Sequence, residues 1–174
     1  MKIFVARDAG YCFGVRDAVN LAYDSAKNYG DVYMLGTIVH NERVVSDLET
    51  AGAKVVNTLD DVPSGKPLLF RAHGTPPKMW EEASEKNLKL IDATCPLVTE
   101  IHDDIKKLEG EGRKTIIIGD HGHDEVIAIA AQVKKPIIIS NLEEAKALRK
   151  MKKAGVVSQS TQMLENVQEI MDIL

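Results

Sequence analysis

Five residues could do chemistry together: Cys12 in YCFGV, His40 in IVHN, His73 in RAHG, Cys95 in ATCPLV and His123 in GDHGHDEV. Each follows a short β-branched or apolar run and precedes a stretch of helical periodicity. A cysteine that opens a helix sits in the positive end of the helix dipole, which favours the thiolate, the form that binds metal or attacks an electrophile. A histidine at a helix start, among free backbone N–H groups, suits a diphosphate. Each residue taken singly has a plainer reading. A free cysteine is usually a small buried hydrophobe, and a loop histidine usually bonds to backbone. Gly10 and Gly14 flank Cys12 and allow close approach of a bulky group. The cysteines lack the local spacing of a cluster motif, so alone they are a weak signal.

Further polar residues lie at the same kind of position. Glu125 stands two residues after His123, where it could deliver protons near a thiolate-ligated cluster, or merely profit from a helix start. Ser158, Ser160 and Thr161 in VVSQSTQ could donate to a substrate hydroxyl, or cap the last helix. His121, with Asp120, His123, Asp124 and Glu125, makes a dense HGHDE segment that could hold a hard metal. A metal-dependent hydrolase centred there is therefore one alternative reading. His102, followed by Asp103 and Asp104 inside a helix, reads as a solvated-face residue.

The elements that must position these residues alternate in type. Strands are expected at Lys2–Ala6, Val32–Leu35, Lys54–Val56, Pro67–Arg71, Lys89–Ile91, Lys114–Ile118, Pro136–Ile139 and Gly155–Val157. Val15, Ala18, Val19, Ala22 and Ala26 share one helix face. Pro76 and Pro77 suit the first turn of a helix through Trp80. Ser140 and Glu143 have capping-box spacing before Ala145 and Leu148. Strand–helix alternation of this kind predicts an α/β fold with mainly parallel sheets. In such sheets ligands bind beyond the carboxyl ends of the strands, where all the residues above fall.

The pattern occurs twice. Gly36 and His40 follow Cys12 by 24 and 28 residues, and Gly119 and His123 follow Cys95 by the same intervals. His73 lies 61 residues after Cys12, and the same step from Cys95 reaches Val156, beside Ser158–Thr161. Each half reads strand–Cys–helix, strand–Gly–His–helix, strand–polar loop–helix. A repeat this long is a small domain rather than a solenoid unit. We expect a first α/β repeat over 1–95 and a second over 96–174. The cysteines are 83 residues apart, so a third copy would place its cysteine just past Leu174.

Composition sets the limits. The chain has 174 residues, 44% hydrophobic and 28% charged, an ordinary globular balance. A formal net charge of −4 argues against non-specific nucleic-acid binding. No apolar run reaches membrane-spanning length, and MKIFVARDAG has no secretory pattern, so a cytoplasmic location is expected. In that compartment both cysteines should be thiols.

AGYCFGVRDAV, GTIVHNERVV, FRAHGTPP, IDATCPLVTEIH, IIIGDHGHDEV and VVSQSTQ, in this order, resemble the 4-hydroxy-3-methylbut-2-enyl diphosphate reductase family, the IspH or LytB family of the non-mevalonate isoprenoid pathway. The resemblance runs along essentially the whole chain. It implies a pseudo-threefold architecture of three α/β domains around a 4Fe–4S cluster held by three cysteines, of which Cys12 and Cys95 would be the first two. It implies that His40, His73 and His123 contact the substrate diphosphate, that Glu125 delivers protons, and that Ser160 takes a threonine position near the substrate hydroxyl. A serine there keeps the hydroxyl and loses a methyl group. The implied reaction is reductive dehydroxylation to isopentenyl and dimethylallyl diphosphate, with single electrons from a ferredoxin- or flavodoxin-like donor. The family's third domain, with its third cysteine and a Ser-x-Asn contact, has no counterpart in these residues, and residues 1–12 would pack on that domain. A separate third-domain segment is therefore an expected partner, and the chain is expected to be incomplete for catalysis alone. A non-catalytic diphosphate-binding module is the remaining alternative.

Overall fold

The computed structural model describes residues 2–5 and 10–174. Seven helices and seven strands alternate among them: α1 Phe13–Tyr29, β1 Val32–Leu35, α2 Glu42–Thr50, β2 Ala53–Val56, β3 Pro67–Phe70, α3 Pro77–Glu85, β4 Lys89–Asp92, α4 Pro96–Gly110, β5 Lys114–Ile118, α5 Asp124–Ala130, β6 Ile137–Ile139, α6 Leu142–Ala147, β7 Ala154–Ser158 and α7 Leu164–Ile173. They build two sheets, ordered β2-β1-β3-β4 and β6-β5-β7. Every strand pair is parallel. The order β6-β5-β7 repeats β2-β1-β3, so the twofold pattern in the sequence is also a pattern of topology.

Burial explains why these runs form strands. All four residues of β3, PLLF, are buried, because helices cover both faces of the first sheet. On one face Leu69 packs with Val32, Met34 and the Ala18, Val19 and Ala22 stripe of α1. On the other, Leu68 and Phe70 pack with Leu88, Ala83 and Trp80. In the second sheet Ile116 and Ile118 face α6 and α7, while Ile117 faces α4 and α5, the period of two expected of a strand. Each such isoleucine or leucine contributes about 1.5–3 kcal/mol on full burial.

Two local expectations are corrected. Lys2–Val5 form no strand, and Ile3, Phe4 and Val5 are exposed; Ala6 lies outside the described residues. An isolated strand leaves its ladder groups to water, and no sheet edge of the described residues takes this one. The α6 cap is Asn141, whose side chain accepts from the Glu144 N–H at 3.0 Å, rather than Ser140 with Glu143. Glu144 in turn accepts the backbone N–H of Ser140, the residue before the cap, at 2.8 Å rather than that of Asn141, so the reciprocal bond of a capping box is not made. Pro77 opens α3 as expected.

Candidate functional site

The three histidines stand on three loops, each beyond the carboxyl end of a strand: His40 after β1, His73 after β3 and His123 after β5. Their rings meet. His40 and His73 centroids are 4.9 Å apart, His73 and His123 5.6 Å, and His40 and His123 6.3 Å. Each offers a ring nitrogen, all within 4.8 Å of one another, so the group could hold a metal ion or straddle an anion. Two of these loops belong to the first sheet and one to the second, so the site spans both.

Each ring has its own support. His123 caps α5, and its Nδ1 accepts from the Glu125 N–H at 3.2 Å. That bond assigns its proton to Nε2, which is left to donate. His40 precedes Asn41, the α2 cap, which accepts from the Val44 N–H at 3.2 Å and donates to the Tyr11 hydroxyl at 3.1 Å. His73 sits in a tight turn in which the Gly74 N–H bonds the Arg71 carbonyl at 3.2 Å. Gly74 has φ of +83°, which a side chain would strain. Burial holds the His73 pKa down at about 4 from the usual 6.5, with His40, His123 and Arg71 acting in the same direction and Asp124 opposing. Its Nδ1 is buried without a partner among the described residues.

Glu125 is 2% exposed and fully engaged. Ser160 donates to it twice, from its backbone N–H at 2.6 Å and from its hydroxyl at 2.8 Å. The reading of Ser158–Thr161 as caps is corrected: α7 is capped by Met163 without a side-chain bond. Thr161 accepts from Gln159, and the Gln159 carbonyl oxygen accepts from the Asp120 N–H at 2.9 Å.

Cys12 and Cys95 are the N-cap residues of α1 and α4 and neither thiol bonds as a cap. Both are free, Cys12 exposed and Cys95 half-buried, so neither is a small buried hydrophobe. Cys95 lies against Gly14 in the first turn of α1, the helix that Cys12 opens. A Cβ on that glycine would collide with the Cys95 sulfur. Gly14, two residues on from the first cysteine, thus makes room for the second. The Cys95 N–H bonds the carbonyl of Ala72 at 3.0 Å, which ties the cysteine loop to the residue before His73.

A single metal centre at HGHDE is not formed. His121 Nε2 turns to the Glu144 carboxylate at 2.9 Å, Asp124 to Arg71, and Glu125 to Ser160. The hydrolase reading loses its ligand set. His102 is also not on a solvated face: it is 9% exposed, its Nε2 has no partner among the described residues, and it packs against Gly74. The sequence reading missed Arg71, Asn41 and Tyr11 as parts of the site. The available hint was Arg71 itself, a charged residue ending an apolar strand two residues before His73.

The family model described as LytB protein matches residues 3–174. The 4-hydroxy-3-methylbut-2-enyl diphosphate reductase of Geobacter metallireducens is 38% identical over 171 residues, 98% of this chain and 60% of that protein. The reductase of the same name from Clostridioides difficile is 38% identical over 165 residues, 92% of this chain and 59% of that protein. A solved structure of the E-1-hydroxy-2-methyl-but-2-enyl-4-diphosphate reductase from Plasmodium falciparum superposes with a TM-score of 0.91 at 32% identity, covering 97% of this chain and 54% of that one. A second, of the (E)-4-hydroxy-3-methyl-but-2-enyl diphosphate reductase described as the terminal enzyme of the non-mevalonate pathway, gives 0.87 at 36% identity, covering 98% and 63%. The chain spans about three fifths of the length of the curated relatives it matches. With its sequence matched nearly end to end and its fold superposing on both reductases, the chain belongs to the LytB family.

Proposed function

We propose that this chain forms the diphosphate-binding and proton-delivering part of a 4-hydroxy-3-methylbut-2-enyl diphosphate reductase. The observation that carries the reading is the meeting of His40, His73 and His123 from three loops and two sheets. Asp124, the acid nearest them in sequence, is taken up by Arg71, which leaves the imidazoles facing an anion rather than a hard cation. His123 can donate from Nε2, and neutral His73 can take up a proton as the anion binds.

Glu125 and Ser160 supply the second part. Reductive dehydroxylation consumes two electrons and two protons, breaks the allylic C–O bond and releases water. In this reading the Ser160 hydroxyl stands between the Glu125 carboxyl and the substrate hydroxyl. In the resting site this hydroxyl donates to the carboxyl. The relay requires Glu125 to take up a proton and the hydroxyl to turn, so that Ser160 passes its own proton to the departing oxygen and receives the one held by Glu125. The two hydrogen bonds from Ser160 fix the direction of the Glu125 carboxyl.

Two free cysteines at helix starts, one fitted against Gly14, suit iron–sulfur ligation. They are two of the ligands only, since such clusters are usually held by four thiolates and the chain has two cysteines. The remaining ligands, like the rest of the length of the relatives, would come from a third α/β domain. The repeats at 1–95 and 96–174 would be the first two of three. When bound, the cluster would supply electrons one at a time from a ferredoxin- or flavodoxin-like donor. We place this chemistry in the cytoplasm; no helix of the described residues is long and apolar enough to cross a membrane. The test is turnover of the diphosphate substrate by this chain mixed with the remaining segment of a relative, under anaerobic conditions with a chemical reductant. Product formation above either part alone supports the reading; none in the mixture, with both parts folded, counts against it.

A further inference from the structure

One guanidinium, carried by the His73 loop, pairs with the residue after His123 and lies over the glycine that begins the His40 loop. Arg71 is the first residue after β3 and lies two before His73. It pairs with Asp124, the residue after His123, across the two sheets. Its Nη1 also lies 3.0 Å from where a Cβ of Gly36 would stand, and Gly36 begins the loop that carries His40. Gly36 has φ of +72°, so glycine is favoured there both by the backbone and by the arginine lying over it. The pair is shielded, each side chain being 28% exposed. Nη1 takes part in both contacts, and Cζ and Nε also approach the Gly36 Cβ position, so the planar guanidinium packs on the glycine while it pairs with Asp124, which a lysine ammonium cannot do.

We propose that Arg71, paired with Asp124, is a positioning residue that locks the three histidine loops into one site across the two sheets. The second half of the chain uses a comparable device with other chemistry. Gly119 is the counterpart of Gly36, and the side chain of Gln159, from beyond β7, lies over it and accepts from the Asp120 N–H. Gln159 is neutral and stays within its own sheet. Arg71 is charged and reaches the other one. The consequence for ligand binding rests on the diphosphate reading above; the positioning itself does not.

The test uses the whole chain with selectively labelled histidines. In the wild type, ring-proton NOEs are expected for His40–His73 and for His73–His123. Asp124→Ala should abolish the His73–His123 contact and leave His40–His73 intact, because Gly36 and its loop still have Arg71. Arg71→Met should likewise abolish the His73–His123 contact and also weaken His40–His73, and the double variant should match Arg71→Met rather than add to it. Arg71→Lys, which keeps the charge without the fork, should fail to restore the His40–His73 contact. Inorganic pyrophosphate should bind each weakened variant at least about tenfold less tightly. Persistence of the His73–His123 NOE at wild-type strength in folded Asp124→Ala overturns the proposal. If the NOEs change as expected but the wild type itself binds no pyrophosphate, the positioning role stands and the diphosphate reading falls.

Discussion

Ser160 holds Glu125 by both of its oxygens, across 35 residues of chain, with a backbone N–H at 2.6 Å and a hydroxyl at 2.8 Å. The pair joins the loop after β7 to the start of α5. A carboxyl group only 2% exposed depends on such partners, because burial without them costs more than the bonds return.

Ser160→Ala is therefore expected to cost about 1–3 kcal/mol of stability, the usual penalty for removing one partner of a buried polar group. Ser160→Thr keeps the hydroxyl and should lose much less. Urea denaturation of the three proteins measures both. Equal stability of Ser160→Ala and wild type would show that the Ser160 N–H alone satisfies Glu125.

His73 should make stability depend on pH in a defined window. Its pKa falls from 6.5 when unfolded to about 4 when folded. Between these values the unfolded chain binds the proton and the folded chain does not, so stability rises with pH through that interval and is fully present above it. The size is at most about 3 kcal/mol, and less to the extent that solvent reaches the half-buried ring. Histidine NMR titration of the folded chain should give one ring with a midpoint near 4. A His73 midpoint near 6.5 would contradict the burial argument.

The sites of His40 and His123 were legible because of their spacing, since a repeated Cys–Gly–His interval survives without knowledge of any contact, and that of His73 because it follows an apolar strand. Seven of the expected strands form at or within a residue or so of their expected bounds, because buried parallel strands are marked by dense β-branched and apolar runs. Lys2–Ala6 carries the same local signal, but strand pairing depends on a partner edge, which a local run cannot report. His102 was misjudged because the two acids after it suggest solvent, while its burial comes from Gly74 on another element. Arg71–Asp124 lies 53 residues apart, and no periodicity connects such a pair. The direction taken by His121 towards Glu144 was likewise invisible, since HGHDE reads as a compact cluster until its loop is folded.

Gly14→Ala should expose how closely the cysteines depend on each other. The added Cβ has no room beside the Cys95 sulfur, and either the thiol or the start of α1 must move. We expect a loss of about 1–3 kcal/mol and a Cys95 thiol that reacts faster with a small disulfide reagent. Unchanged thiol kinetics together with unchanged stability would mean that Cys95 is not seated against α1.

Iron–sulfur reconstitution should need both cysteines. Under anaerobic conditions, wild-type chain is expected to take up iron and sulfide, with a small thiol in solution completing the ligands. Cys12→Ser and Cys95→Ser should each lower the iron and sulfide per chain and bleach the visible absorption. Retention of full iron content by either variant would remove that cysteine from the ligand set.

The central claim is that His40, His73 and His123 form one anion site. Calorimetric titration of the chain with inorganic pyrophosphate tests it most directly. One saturable site per chain is expected, with proton uptake near neutral pH as the anion raises the depressed His73 pKa. His40→Ala, His73→Ala and His123→Ala should each weaken it by about tenfold or more, the loss of one charge-assisted hydrogen bond. Absence of saturable binding, or binding that survives replacement of all three histidines, would contradict the account.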